Sequence, residues 1–239
     1  MITSTPFAYG QVKTFDSLDS PYVVEQIHTI NDLPILGVDS VQGARGDRVL
    51  FSDLSFTLEP GQLLHITGPN GSGKTTLLRI LCGLFTPVEG VVHWRGHDIR
   101  TAASRHRQDS TYIGHRDGLK VELTTLENLQ ITARLYGCRD QNLIDDCLRL
   151  LGLWDFQDIM VGHLSAGQRR RLAMGRLLIK HAVLWILDEP FTAIDADGRS
   201  MVEERLIKHL EADGMVVLTS HQPLSDSRLR NRCLTVSLQ

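Results

Sequence analysis

Residues 164–168 read Leu164-Ser165-Ala166-Gly167-Gln168, and they fall between a glycine loop at 68–75 and an acidic pair at Asp188-Glu189. Glycine loops of the first kind occur in many nucleotide-binding proteins. A second glycine-bearing segment that opens its own helix, without a lysine or a metal ligand, makes sense as half of a shared site. The other half then comes from a second copy of the chain. The expectation is a dimer that closes on bound nucleotide.

The loop itself reads Gly68-Pro69-Asn70-Gly71-Ser72-Gly73-Lys74-Thr75 and is followed by Thr76. It fits GxxxxGK[ST], with a short apolar run (Leu63–Thr67) before it and helical spacing (Thr75–Leu81) after it. Gly68, Gly71 and Gly73 let the backbone wrap phosphates without Cβ clashes, and the helix start adds amide donors. Lys74 is placed for the β- and γ-phosphates of a nucleotide such as ATP, and Thr75 for Mg²⁺. The run Leu184-Trp185-Ile186-Leu187 then delivers Asp188 and Glu189. A buried parallel strand would set Asp188 at its carboxyl end, where ligands bind in doubly wound sheets. There Asp188 can hold Mg²⁺ through water, and Glu189 can polarise an attacking water as general base. In the pentapeptide, Ser165 suits a helix N-cap and Gly167 a close backbone approach to an anion. The helix dipole behind it suits a γ-phosphate. Arg169, Arg170 and Arg171 are expected to be solvated or salt-bridged to the sheet.

Composition narrows the class. With 239 residues, 42% apolar and 22% charged, the chain can bury one large core. A net charge of −3 argues against nucleic acid as the main partner. Cys82, Cys138, Cys147 and Cys233 form no CxxC or zinc-like pattern, so reduced, buried thiols are expected. No apolar stretch is long enough to span a bilayer, since Lys180 and His181 interrupt the best one. A membrane role would therefore act through a partner. Residues 1–35 lack a signal core, hold one basic residue (Lys13), and read as a poorly ordered extension.

The remainder alternates strand and helix. Strands are expected over 50–58, 63–67, 91–94, 183–187 and 215–219. Helices are expected over 75–81 and 198–211, and from Ser165 onward. Between Gly114 and Gly162 the pattern turns helical: Thr124 and Glu127 form a capping box, and a second helix ends at Gly152. The expected fold is α/β, a P-loop NTPase with a mixed β-sheet core and an inserted helical subdomain over about 114–163.

Taken together, residues 36–239 resemble an ABC-type nucleotide-binding domain. The resemblance implies that Thr192-Ala193-Ile194-Asp195 is the loop crossing to the partner copy. It also implies that His221 is the switch histidine that contacts the γ-phosphate and steadies Glu189. Two positions depart from the common pattern. His115 stands where a glutamine usually meets Mg²⁺ and the attacking water, and a histidine can offer one neutral nitrogen but titrates near neutral pH. Arg45 stands at about the position of the aromatic residue that usually stacks on adenine, and a guanidinium can stack on a base too. Tyr112–Lys120, the alanine spelling at 164–168, Leu184–Asp195 and Ser220-His221-Gln222-Pro223-Leu224 are similar to the ATPase family of bacterial cytochrome c maturation systems. In that family a histidine at the glutamine position is usual.

The resemblance implies ATP hydrolysis by a homodimer peripheral to the cytoplasmic face of the inner membrane. Its partners would be an integral membrane subunit (CcmB-like) and haem-handling proteins (CcmC- and CcmE-like). The coupling surface would lie near Arg116–Glu122. His93 and His97 fall on a strand and its turn rather than on one helix face, so haem ligation there is not expected. Two rival readings remain at this stage. One is a soluble ABC ATPase on ribosomes or DNA, though this chain has one cassette and no long coiled coil. The other is a nucleotide-locked scaffold in which His115 impairs turnover.

Overall fold

A computed structural model describes residues 35–239, so the expected extension lies outside the described residues except for its last position. The first strand pair follows from alternation. Strand β1 (Leu36–Arg45) turns at Gly46 into β2 (Arg48–Leu58), burying Leu36, Val38, Val41, Phe51 and Leu58 on one side. With β4 (Glu89–Trp94) and β5 (His97–Asp98) they form an antiparallel sheet in the order β2-β1-β4-β5. Arg95 and Gly96 have φ of 53° and 76°. Two successive left-handed residues let a tight hairpin follow the strand twist.

The second sheet is parallel throughout, in the order β6-β7-β8-β3-β9. It comprises β3 (Leu63–Thr67), β6 (Ser110–Ile113), β7 (Leu184–Asp188), β8 (Met215–Thr219) and β9 (Cys233–Ser237). Every residue of β7 and β8 is buried. That is why these strands read as unbroken apolar runs, since parallel sheets are covered on both faces. Period 2 divides them between two cores. Leu64, Ile66, Ile186 and Val217 face helix α1 (Lys74–Leu81) and the antiparallel sheet. Leu63, Leu187, Val216 and Leu218 face α5 (Ala166–Ile179) and α6 (Ala196–Glu211). The mixed core is thus one antiparallel sheet and one parallel sheet, with α1 packed between them.

The helical region contains α3 (Thr125–Leu135), opened by the expected Thr124–Glu127 capping box, and α4 (Gln141–Leu150). Both pack on α5, where a Cβ on Gly175 would come 2.5 Å from Leu129 Cδ2. Residues 114–123 are not helical as expected. They run as a loop that pairs with 161–162 through Val161 N–H to Leu123 O and Gly162 N–H to Val121 O, each 2.9 Å. Strands β1, β5, β6 and β9, helix α2 (Ala103–Asp109) and the short α7 (Ser227–Arg230) are not assigned from sequence. In α2 the single buried side chain is His106, so no apolar period marks it. The cysteines are free, and among the described residues no helix is long and apolar enough to cross a membrane.

Candidate nucleotide and catalytic site

The glycine loop leaves β3 and enters α1 through Gly73, at φ 102°. Its three glycines do different work. A Cβ on Gly68 would lie 2.4 Å from Leu238 O, so this glycine lets the loop after β3 pass the backbone that follows β9. A Cβ on Gly73 would lie 2.9 Å from the Phe51 ring. Gly71 (φ 84°) has open space beside it and leaves its backbone facing the cavity. Lys74 Nζ donates to Gly68 O at 2.8 Å and Pro69 O at 3.0 Å, which holds its charge across the loop mouth.

Parallel register brings the acids to this loop. Asp188 ends β7 opposite Thr219 of β8 and is 3% exposed. Its carboxylate accepts from Thr75 Oγ1 at 2.8 Å and from Thr219 Oγ1 at 2.9 Å, while Thr219 Oγ1 accepts the Glu189 N–H at 2.9 Å. Glu189 sits at φ 52°, a left-handed conformation that turns its side chain off the strand line. Its Oε2 accepts the His221 N–H at 3.3 Å, and His221 Nε2 lies 3.5 Å from Oε1. Glu189 Oε1 is otherwise buried without a hydrogen-bond partner.

Lys74, Thr75, Thr76, His115, Asp188, Glu189 and His221 line a single cavity of about 520 Å³, with Asn70, Gly71, Gly73, Arg45, Leu50 and Thr192. A hydroxyl and a carboxylate within hydrogen-bond reach of each other, beside the unpartnered Glu189 oxygen, form a hard-oxygen donor set suited to Mg²⁺. Among the described residues no group of three or more His, Cys, Asp and Glu side chains could hold a metal unaided. A bound Mg²⁺ here would need phosphate and water ligands as well, as that ion prefers.

The pentapeptide lies apart from this cavity. Ser165 caps α5, and a reciprocal box joins Gln168 N–H to Ser165 Oγ at 3.1 Å and Ser165 N–H to Gln168 Oε1 at 2.8 Å. The Gln168 carboxamide is therefore engaged within its own chain. Gly167 is not in a loop but in the first helical turn, where a Cβ would come 2.7 Å from Ala193 O. Asp195 caps α6 by accepting the Gly198 N–H at 2.9 Å. None of Ser165, Gly167, Gln168 and Asp195 lines the cavity.

The three arginines behind the pentapeptide are not a solvated row. Arg169 bonds Leu164 O and Arg171 bonds Leu151 O. Arg170 is 4% exposed and grips four oxygens: Asp188 O, Glu189 O, Gly114 O and Asp117 Oδ1. It thereby ties the acid loop to the segment carrying His115. Arg170, Ala173, Met174 and Leu177 are all buried and follow the spacing i, i+3, i+4, i+7. That spacing marked Arg170 as inward-facing, and the run of charge concealed it.

Residues 51–192 match the family model described as ABC transporter. The chain is 46% identical over 210 residues to the "Cytochrome c biogenesis ATP-binding export protein CcmA" of Methylococcus capsulatus, covering 87% of this chain and 100% of the relative. To the protein of that name from Escherichia coli K12 it is 48% identical over 193 residues, covering 80% and 92%. A putative ABC transporter ATP-binding protein from Pyrococcus furiosus superposes with TM-score 0.73 at 25% identity, covering 85% of this chain and 97% of the other. A dimeric ATP-binding cassette in a post-hydrolysis state with ADP and phosphate shares the fold at TM-score 0.71 and 22% identity, covering 85% and 96%.

Proposed function

We propose that this chain, which belongs to the ABC transporter family and to its CcmA branch, is the ATP-hydrolysing subunit of a membrane complex for c-type cytochrome biogenesis. In that role its turnover drives haem delivery or export by a membrane partner. One observation carries the chemistry: the fold brings Thr75 at the start of α1, Asp188 and Glu189 at the end of β7, and His221 just after β8 to one cavity beside Lys74.

The backbone of 68–73 and the start of α1 cradle the phosphates, and Lys74 pairs with their charge. Thr75 and Asp188, with His115 nearby, would hold Mg²⁺, which neutralises charge on the phosphate oxygens when bound. Glu189 orients the attacking water and takes its proton as the water oxygen bonds the γ-phosphorus and the bridge to the β-phosphate breaks. His221 steadies Glu189 and reaches toward the γ-phosphate. Arg45 and Leu50 offer the base a guanidinium plane and an apolar face.

Ser165, Gly167, Gln168 and Asp195 complete the site from a second copy, because their own chain leaves them outside the cavity. The helical subdomain over about 114–163 carries movement to an integral membrane subunit (CcmB-like), with Arg116–Glu122 on the coupling face and CcmC- and CcmE-like haem handlers beyond it. On this reading the chain sits peripherally on the cytoplasmic face of the inner membrane.

The test is affinity capture from membranes with detection of haem and partner subunits, together with ATPase assays on the captured complex. Glu189→Gln should retain ATP while turnover falls by about 100-fold or more. Equal rates for wild type and Glu189→Gln would remove Glu189 from the chemistry. Capture of ribosomes in place of a membrane protein would defeat the proposed setting.

A further inference from the structure

His221 is weakly held from its own side. Its side chain is 57% exposed, and its contacts to Glu189 are 3.3 and 3.5 Å. The backbone carrying it is fixed from α6 instead. Arg199, in the first turn of that helix, donates from Nη1 to Gln222 Oε1 and from Nη2 to Pro223 O, the two residues directly after His221. Its Nε donates to Glu203 Oε1 at 3.1 Å, and its guanidinium carbon lies 4.9 Å from the Phe191 ring centroid. Glu203 is 4% exposed and accepts from Ser225 N–H at 3.1 Å and from Ser225 Oγ at 2.6 Å. One ion pair, with Glu203 buried and Arg199 half-buried, therefore pins the histidine loop at positions 222, 223 and 225 while touching Phe191, two residues beyond Glu189.

Stability alone does not account for such a pair. Desolvating an arginine and a carboxylate costs about as much as their attraction returns, and an apolar pair on α6 would pack as well. What the charges supply is direction, since a planar guanidinium with three bonds fixes both distance and angle. We propose that Arg199 and Glu203 are positioning residues for His221. They set the register of 221–225 so that the His221 N–H and ring meet Glu189. Because α6 begins at its Asp195 cap, the same pair links that register to residues 192–195. The inference rests on the roles proposed above for Glu189 and His221.

The test is steady-state ATP hydrolysis by the membrane complex captured with each variant of this chain. Arg199→Met should lower kcat by about tenfold while the KM for ATP stays within about twofold, and Arg199→Lys should recover part of the loss. The double variant Arg199→Met with His221→Ala should be no slower than His221→Ala alone, because the clamp acts only through that histidine. Additive losses, or wild-type kcat in Arg199→Met, would overturn the proposal. Should Arg199→Met fail to fold, Gln222→Ala removes only an exposed acceptor. A smaller drop in kcat is expected there, and no drop counts against the clamp. An inactive wild type would instead sink the functional reading. Amide exchange still reads the clamp in that case: His221 and Gln222 should exchange faster in Arg199→Met at an unchanged melting midpoint, and unchanged exchange refutes it.

Discussion

Half-buried His209 stacks face to face on the core residue Trp185, with ring centroids 3.7 Å apart and planes 5° from parallel. His209 Nε2 lies 3.1 Å from Val183 O, and burial lowers the imidazole pKa to about 4, with bonds to Val183 and Met215 opposing the shift. Unfolded, the same ring takes up its proton near its ordinary value of 6.5. The unfolded chain therefore binds the proton first as pH falls. The stability this group supports is complete above about 6.5 and is lost as pH drops through about 4, a span worth roughly 3 kcal/mol. His209→Phe keeps the stack and removes the titration. Denaturant unfolding should find the variant about 1 kcal/mol weaker at pH 7, from the lost bond, with a flatter fall between pH 6.5 and 4. Parallel curves for the two proteins would disprove this account. Residues of this kind are illegible in sequence, because no local spacing joins His209 to Trp185 or Arg199 to Gln222. Lys74, Thr75, Asp188 and Glu189 were legible because their chemistry is written in short contiguous motifs.

Helix α5 shows what a correct element assignment leaves unseen. Its start at Ser165 was evident from capping chemistry, and Gly167 was expected to admit an anion. The structure gives Gly167 a second duty, since the first turn of α5 lies against the backbone of Ala193, itself at φ 63°. Two effects of Gly167→Ala compete. Alanine favours a helix over glycine by about 0.5–1 kcal/mol, while overpacking against backbone costs about 1–3 kcal/mol. An added Cβ would meet the Ala193 carbonyl at 2.7 Å, and a carbonyl cannot swing aside as a side-chain tip can, so the clash wins. Thermal melting should show Gly167→Ala less stable by about 1 kcal/mol, with ATPase activity reduced as 192–195 shifts. A raised melting midpoint would mean that the contact carries no strain. Elements with strong periods, such as β3, β8 and α3, stood out in sequence within a residue or two of their bounds. Of those missed, α2 and β9 expose much of their surface, so their pattern comes from what they pack against.

At the scale of the molecule, the division of site residues is itself a statement about assembly. The cavity gathers the phosphate loop, the acids, His115 and His221, while Ser165, Gly167, Gln168 and Asp195 stay outside it. The dimer was expected because the pentapeptide opens a helix without a lysine or a metal ligand, and its separation from the cavity leads to a complementation test. Lys74→Ala spoils the phosphate loop and leaves the start of α5 intact. Ser165→Arg spoils the exposed start of α5 and leaves the phosphate loop intact. Each protein alone forms dimers in which both composite sites hold one damaged half. In a mixed dimer the damage sorts differently: one site receives both damaged halves and the other receives neither. Random pairing of equal amounts should therefore restore about one quarter of the wild-type sites, from half the dimers with one good site each. ATPase activity should appear on mixing two inactive proteins and should rise with the square of protein concentration while dimers are scarce. Wild-type ATPase activity in Ser165→Arg alone, with a rate strictly proportional to protein concentration, would show that each chain works alone. The pentapeptide would then be only the capped start of a helix.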